Sequence, residues 1–393
     1  MPNDFAEAHW LIDYRFGFMK RGLIGSICSL VTECVGVQMN PSLIAILSVI
    51  TLSGLFATML YLIARMILRE EANSSLVLGL VFASSPFVVI SAHLLGYFDS
   101  LLYVLGLASV GLVLSNRPFF AAFLSTVAIL THESYLLIGL PLVFLASVAV
   151  VTQNSRQASW KAHLVAICIT VSAFIAVTLV HNLTTDPMVL RSQLSERLDS
   201  FGFVSTRSEG IALWHTTSFM SFFRGQRGVF GERLLNPVIL SSCAPTLLAI
   251  LVFIHSSFRI RAFSPFSIMV FAIVCAPLSL HSVAWDTARI STYTIGSGFI
   301  AAWILSETRQ VQPAGDLFIL IALPVLILNV FGRIALMDNE AESFSNMLRF
   351  LLYLPAIAFF VTTVVQNVRE DWLKEFKEEE IPKRAIESNR EQQ

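Results

Sequence analysis

The sequence predicts an all-α protein, a polytopic membrane helix bundle. Three observations predict it. The chain of 393 residues is 55% hydrophobic and only 13% charged, where globular domains carry roughly a quarter charged residues. Apolar runs close to the ~20 residues that cross a bilayer recur along most of its length. Lys and Arg gather in the short stretches between alternate runs, as they do in cytoplasmic loops.

In chain order, residues 1–41 form a first outer loop. Within it, 22–38 is apolar but carries Glu33 and the breaks Gly22, Gly25 and Ser26, which suits an interfacial or re-entrant helix. Spans follow at 42–68, 75–95, 98–115, 134–152, 162–183, 236–256, 264–283, 290–306, 315–336 and 347–367. The apolar stretch 118–131 has only 14 residues before His132; as a short, tilted or half-spanning helix it brings the count to eleven. The transmembrane domain is then 1–367, with a charged tail over 368–393.

A long loop at 186–235 is too polar to span and too apolar to be a plain linker. In it Arg224, Arg227 and Arg233 alternate with Gly225, Gly228 and Gly231. It fits an amphipathic helix on the outer surface that covers a lipid substrate, or a loop packed on the bundle.

The tail (Arg369, Lys374, Lys377, Lys383, Arg384) fixes the C-terminus as cytoplasmic. Counting back puts Arg309, Arg259 with Arg261, Arg156 with Lys161, Arg117, and Arg65 with Arg69 on the same side. Arg333 is an exception that snorkelling accommodates. The expected location is the plasma (inner) membrane. The N-terminus then starts outside: either a short acidic tail is translocated, or a helix precedes the given start. No cleavable signal peptide is visible, because Asp4, Glu7, Asp13 and Arg15 leave no apolar h-region. The five cysteines show no paired spacing and read as small core residues rather than a disulfide or metal framework.

The same count brings four charged clusters to the outer face. Ionisable groups are costly in apolar segments and are usually kept there for chemistry or transport. The first, Asp13 to Gly25, holds one carboxylate, the cations Arg15, Lys20 and Arg21, and several glycines. Arg holds phosphate through two parallel bonds and Lys as a point charge, so this loop suits a phosphate or diphosphate. Asp13 has the chemistry of a general base toward an acceptor hydroxyl. The bland alternative is a basic loop on lipid head groups.

Asp99 opens its span, where a helix cap alone would explain it. His132-Glu133 interrupts an apolar stretch in which Asn, Gly or Ser would have made the turn. Adjacent helical side chains diverge, so the pair is a poor metal clamp; one member faces a cavity while the other orients a neighbour, or Thr131 and Glu133 serve the start of the next helix. Asp286 and Arg289, spaced i,i+3, form either a local ion pair or a phosphate ligand held ready by its carboxylate.

Taken together, the Asp13–Gly25 loop, the outer His-Glu pair and the late Asp286-x-x-Arg289 resemble bacterial polytopic glycosyltransferases of the GT-C type and related surface-polysaccharide membrane proteins. The resemblance implies a GT-C-like fold, a polyprenyl-phosphate-linked sugar as donor, a glycan or lipid acceptor, and an outer-face active site with Asp13 as base. His132 and Glu133 join it as candidate catalytic residues; Arg15, Lys20, Arg21, Asp99, Asp286 and Arg289 are candidate substrate ligands. The chain departs from the pattern in lacking the usual helix before the acidic loop. It also has a single carboxylate rather than an acidic pair, so a divalent metal gains no support and no cofactor is expected. Membrane lipids are expected partners; nucleic acid is not. Two competing functions stay open: a polysaccharide polymerase or ligase that uses lipid-diphosphate-linked repeats and leans on its arginines, and a transporter or flippase. The transporter is disfavoured because the charges cluster at one edge and no inverted repeat is visible.

Overall fold

The computed structural model describes residues 2–332 apart from 3, 17–20, 38, 71–72, 154–158, 184–186, 203–204, 218, 261–262, 285, 310 and 313–315. The expected span 347–367 and the tail 368–393 lie outside the described residues. The described chain is 86% helical and has no strand. In order the helices are α1 (Asp4–Leu11), α2 (Gly22–Val35), α3 (Pro41–Glu70), α4 (Asn73–Ala83), α5 (Pro86–His93), α6 (Asp99–Leu114), α7 (Pro118–Thr131), α8 (Tyr135–Ile138) and α9 (Leu140–Gln153). There follow α10 (Trp160–Leu183), α11 (Pro187–Ser200), α12 (Ser205–Thr216), α13 (Phe219–Gln226), α14 (Phe230–Leu234), α15 (Pro237–Ser257), α16 (Pro265–Cys275), α17 (Thr287–Thr308) and α18 (Asp316–Phe331).

Five stretches among the described residues are long and apolar enough to cross a membrane: Pro41–Arg69, Asn73–His93, Tyr135–Gln153, Trp160–Val180 and Pro265–Ser282. Others expected to span are shorter apolar helices here, among them Asp99–Leu114, Pro118–Thr131 and Phe318–Phe331. Proline sets two of the breaks. Pro86 opens α5 after Ser85 and divides the run expected at 75–95. Pro277 sits in a 3-10 turn, Ala276–Ser282, that ends the run expected at 264–283. Within the segment 22–38, Gly22–Val35 is a helix, and the described part of the loop at 186–235 is a succession of short helices rather than one amphipathic rod.

The bundle is organised around α17. Every residue from Ile290 to Ser306 is buried, which is what a helix without a polar face requires. Its small residues let neighbours approach. A Cβ on Gly296 would stand 2.6 Å from the Phe87 ring and 2.8 Å from the Tyr103 hydroxyl. Phe299 stacks on Phe82 at 4.0 Å, tying α17 to α4. A buried polar link joins α4, α15 and α18: Asn329 donates to the Val81 carbonyl at 3.1 Å and accepts from Thr246 at 2.9 Å. On the periphery, α3 exposes Ile46, Val49, Ile50 and Leu60, and α10 exposes Leu164, Ile169, Ile175 and Leu179. Apolar faces this long, left open to the outside, suit lipid rather than water.

At the end of the bundle where α6 and α17 begin, a second apolar cluster forms a cap. Ala8, Trp10, Leu11 and Ile12 pack with Ile44, Phe98, Leu190, Leu194, Leu198 and Ile211. The cap therefore consists of α1, α11 and α12, seated on the first turns of α3 and α6.

Candidate functional site

The cap brings the N-terminal segment onto the bundle by two close approaches. Trp10 donates its indole N–H to the Gly96 carbonyl at 2.8 Å. Gly96 has φ +97°, and a Cβ there would stand 2.8 Å from Pro2, so only glycine permits the fit. Gly25 of α2 serves the same purpose one layer out: its Cβ would fall 1.9 Å from the Ile12 carbonyl oxygen. That glycine admits neighbouring backbone.

Asp13 follows directly and is 2% exposed. Its carboxylate accepts from the Arg15 backbone N–H at 3.0 Å and from the Arg15 guanidinium at 2.8 Å. Arg197, from α11, lies 3.6 Å away. Arg15 also donates to Ser29 and approaches Glu33 at 3.5 Å, while its side chain stays 47% exposed. The hydrogen bond to Asp13 raises the Arg15 pKa. Burial, then the Arg15 charge, lowers that of Arg197.

Arg21 begins α2 in the left-handed region, at φ +66°, a costly conformation for a side-chain-bearing residue and one often kept at functional sites. The geometry aims its guanidinium at Glu133, with Nε 2.9 Å from one carboxylate oxygen and Nη2 2.5 Å from the other. The pair spans 112 residues of sequence and fixes the α7–α8 junction to the first loop. Thr131 donates to Val127 at 2.9 Å instead of capping the next helix. Glu133 thus answers a distant cation rather than a helix end.

His132 turns the other way. Its Nδ1 accepts from the Ser134 backbone N–H at 3.1 Å, which leaves the proton on Nε2 in the neutral ring. The 3.6 Å approach of Nδ1 to Glu133 is for that reason not an ion pair. The ring lies parallel to His9, with centroids 6.3 Å apart and planes inclined by 11°. Burial, with the Arg21 charge added, pushes His132 well below the ordinary histidine value. The same causes bring His9 down to about 4. His9 is further held by Phe5, whose carbonyl lies 2.6 Å from Nδ1, and it touches Tyr97 and Phe98.

Arg289 is the third anchor. It reaches Asp99 at 2.7 Å, Asp286 at 3.0 Å and the Tyr293 hydroxyl at 2.5 Å, with its guanidinium 4.7 Å from the centre of the Tyr97 ring. Phe98, not Asp99, is the residue that precedes α6 as its cap, and the Asp99 carboxylate crosses to another helix. Its second oxygen, Oδ2, is buried and lacks a close, well-aligned hydrogen-bond partner among the described residues. The Tyr293 hydroxyl, which also contacts Arg289, is the neighbouring donor to the Asp99 carboxylate.

Of the sequence-predicted residues, Asp13, Arg15, Arg21, Asp99, His132, Glu133, Asp286 and Arg289 all belong to this end of the bundle. Lys20 lies outside the described residues. Tyr97, next to His9, also lies under Arg289, which joins the histidine pair to the Asp99 cluster; Asp13 sits four residues beyond His9, just past α1. Sequence reasoning missed His9, Arg197, Tyr97 and Tyr293. His9 carried a signal, being a lone imidazole among Ala6, Ala8, Trp10 and Leu11. Among the described residues, no group of three His, Cys, Asp or Glu side chains could hold a metal ion. A comparison with protein-family models, curated proteins and solved structures finds no match for this chain.

Proposed function

We propose that the protein is an integral membrane glycosyltransferase that moves a sugar or glycan unit from a polyprenyl-phosphate carrier to an acceptor hydroxyl on the outer face. In this reading the outer face is the cap end of the bundle, the chain crosses the membrane about eleven times in a GT-C-like arrangement, and the C-terminus is cytoplasmic. The observation that carries the proposal is the gathering of Arg15, Arg21, Arg197 and Arg289 with four carboxylates and two neutral histidines at one end of an apolar bundle. Transfer from a phosphate carrier needs a base, cations for the leaving phosphate and an apolar flank for the lipid.

Asp13 is the base. The acceptor oxygen attacks the anomeric carbon and gives its proton to the Asp13 carboxylate. The bond from that carbon to the phosphate oxygen breaks, and its electron pair stays with the phosphate. Arg15, more exposed than its partners, receives that charge while Arg197 keeps Asp13 in place. His9 and His132, neutral at pH 7, offer hydrogen bonds to sugar hydroxyls without adding charge.

Purified protein supplied with polyprenyl-phosphate sugars and an acceptor is expected to turn over, and Asp13→Asn is expected to lose that turnover by about a hundredfold or more. Normal turnover in that variant removes Asp13 from the mechanism. A second reading gains from the same arginines, each of which is paired with a carboxylate at this end of the bundle. A polymerase or ligase using lipid-diphosphate repeats would lose activity in Arg15→Gln and Arg289→Gln and keep it in Asp13→Asn.

A further inference from the structure

A cavity of ≈ 460 Å³ opens at the far end of α17 from Arg289, among residues that include Arg69, Gln153, Glu307, Thr308 and Arg309. Three helices finish there: α3 just past Arg69, α9 at Gln153 and α17 at Thr308. Two of the five membrane-crossing stretches, Pro41–Arg69 and Tyr135–Gln153, end on its lining residues. The cavity therefore lies at head-group depth rather than in the hydrocarbon layer.

Its charge is unbalanced. Glu307 is the one carboxylate facing it among the described residues, and it is shared: Arg65 holds it through both oxygens, 2.9 Å from the second, and Arg69 lies 2.7 Å from that same atom. Arg69 also donates to the Ser306 carbonyl at 3.1 Å, which answers part of the negative charge at the end of α17. Arg309 has no carboxylate within 4.0 Å among the described residues, and its guanidinium rests 4.0 Å from the Phe266 ring centre. Arg309 is exposed at the rim of the cavity, and partial burial lowers its pKa.

We propose that this cavity binds a phosphate group, with Arg309 and Arg69 as its cationic ligands and the phosphodiester of an anionic lipid as its source. A guanidinium offers a phosphate two parallel hydrogen bonds, and the stacked Arg309 keeps its outer N–H groups free for them. Arg69, already oriented by Glu307, completes a two-sided grip.

Full-length protein, stripped of lipid in detergent, is mixed with phosphatidylglycerol or with phosphatidylcholine, and bound lipid is read by native mass spectrometry. Phosphatidylglycerol is expected to stay bound and phosphatidylcholine to be lost. Arg309→Gln is expected to bind phosphatidylglycerol about tenfold more weakly. Val311→Trp, which fills the cavity from its lining, is expected to act likewise and covers the case in which Arg309→Gln fails to fold. Inorganic phosphate forms the second arm. Displacement of the lipid by millimolar phosphate, with a higher melting temperature, identifies free phosphate as the ligand of the same site. Equal retention of both lipids, or full retention of phosphatidylglycerol in both variants, overturns the proposal.

Discussion

Arg21 and Glu133, separated by 112 residues, meet fork to carboxylate, with Nε and Nη2 of the arginine on opposite oxygens. Both side chains are largely covered, at 16% and 20% exposure. The pair fastens the first loop to the α7–α8 junction and places two charges beside the histidine pair. Cutting one partner leaves the other charge poorly solvated, so Glu133→Gln is expected to cost about 2 kcal/mol, below the value for a fully buried pair because water still reaches it. A double-mutant cycle with Arg21→Gln, followed by thermal melting in detergent, should show a coupling of about 1 kcal/mol. Additive losses would mean that the pair is not formed.

Arg289 serves Asp99, Asp286 and Tyr293 at once. Arg289→Lys keeps the charge but cannot reach three partners in a fork, so it is expected to lose at least tenfold in turnover and about 2 kcal/mol in stability. Asp286→Asn, which removes the more exposed carboxylate, should cost less than Asp99→Asn. The ranking is read from melting temperatures of the three variants side by side.

The stacked histidines set the acid limit. In the folded protein His9 is held down to about 4, and His132 is lowered as well, against about 6.5 in an unfolded chain. Below pH 6.5 the unfolded chain takes up protons that the folded protein refuses. The folded state is therefore at full advantage above pH 6.5 and loses it as pH falls toward 4. For His9 the loss amounts to about 3 kcal/mol across that window. His9→Gln should flatten the fall in melting temperature between pH 7 and pH 4.5; an unchanged slope would sink this assignment.

Gly25→Ala places a methyl group at 1.9 Å from the Ile12 carbonyl oxygen. Backbone cannot yield as a side-chain tip can, so α2 must move away from the Asp13 turn. Turnover is expected to fall by about tenfold or more, while Gly54→Ala, with nothing within 4 Å of its Cβ, should be neutral. Both variants are compared in the same lipid-linked sugar assay.

Orientation can be read directly. Leu235 and Phe263 are 68% and 91% exposed and flank α15 at opposite ends. With the five native cysteines replaced, single cysteines at these two positions are expected to label from opposite sides of intact cells, 235 from outside. Labelling of both from one side would break the proposed topology.

Much of the site was legible because charge is conspicuous in apolar surroundings. Asp99, His132, Glu133, Asp286 and Arg289 stood out for that reason alone, and the structure gathers them. Their pairing was not legible: nothing local joins Arg21 to Glu133 or Asp99 to Arg289, because those contacts come from how helices cross. His9 escaped notice because Asp4 and Glu7 precede it in a short segment, and its burial depends on Tyr97, Phe98 and His132, which only the fold brings to it. Arg197 sat among several loop arginines with no pattern to single it out. The helix breaks at Pro86 and Pro277 were present as residues, yet the apolar runs on either side hid them from a count based on hydropathy.

The buried helix α17 carries Arg289 two residues inside one end and Glu307 just before the other. Eighteen residues at 1.5 Å each put about 27 Å between them, close to the thickness of the hydrocarbon layer. A rod wedged on all sides from Ile290 to Ser306 cannot bend to let one end move alone. Arg289 at one end holds Asp99, and Glu307 at the other holds Arg65 and Arg69, so the one helix carries both charged clusters. The helix is thereby a strut set between the two charged ends of the bundle.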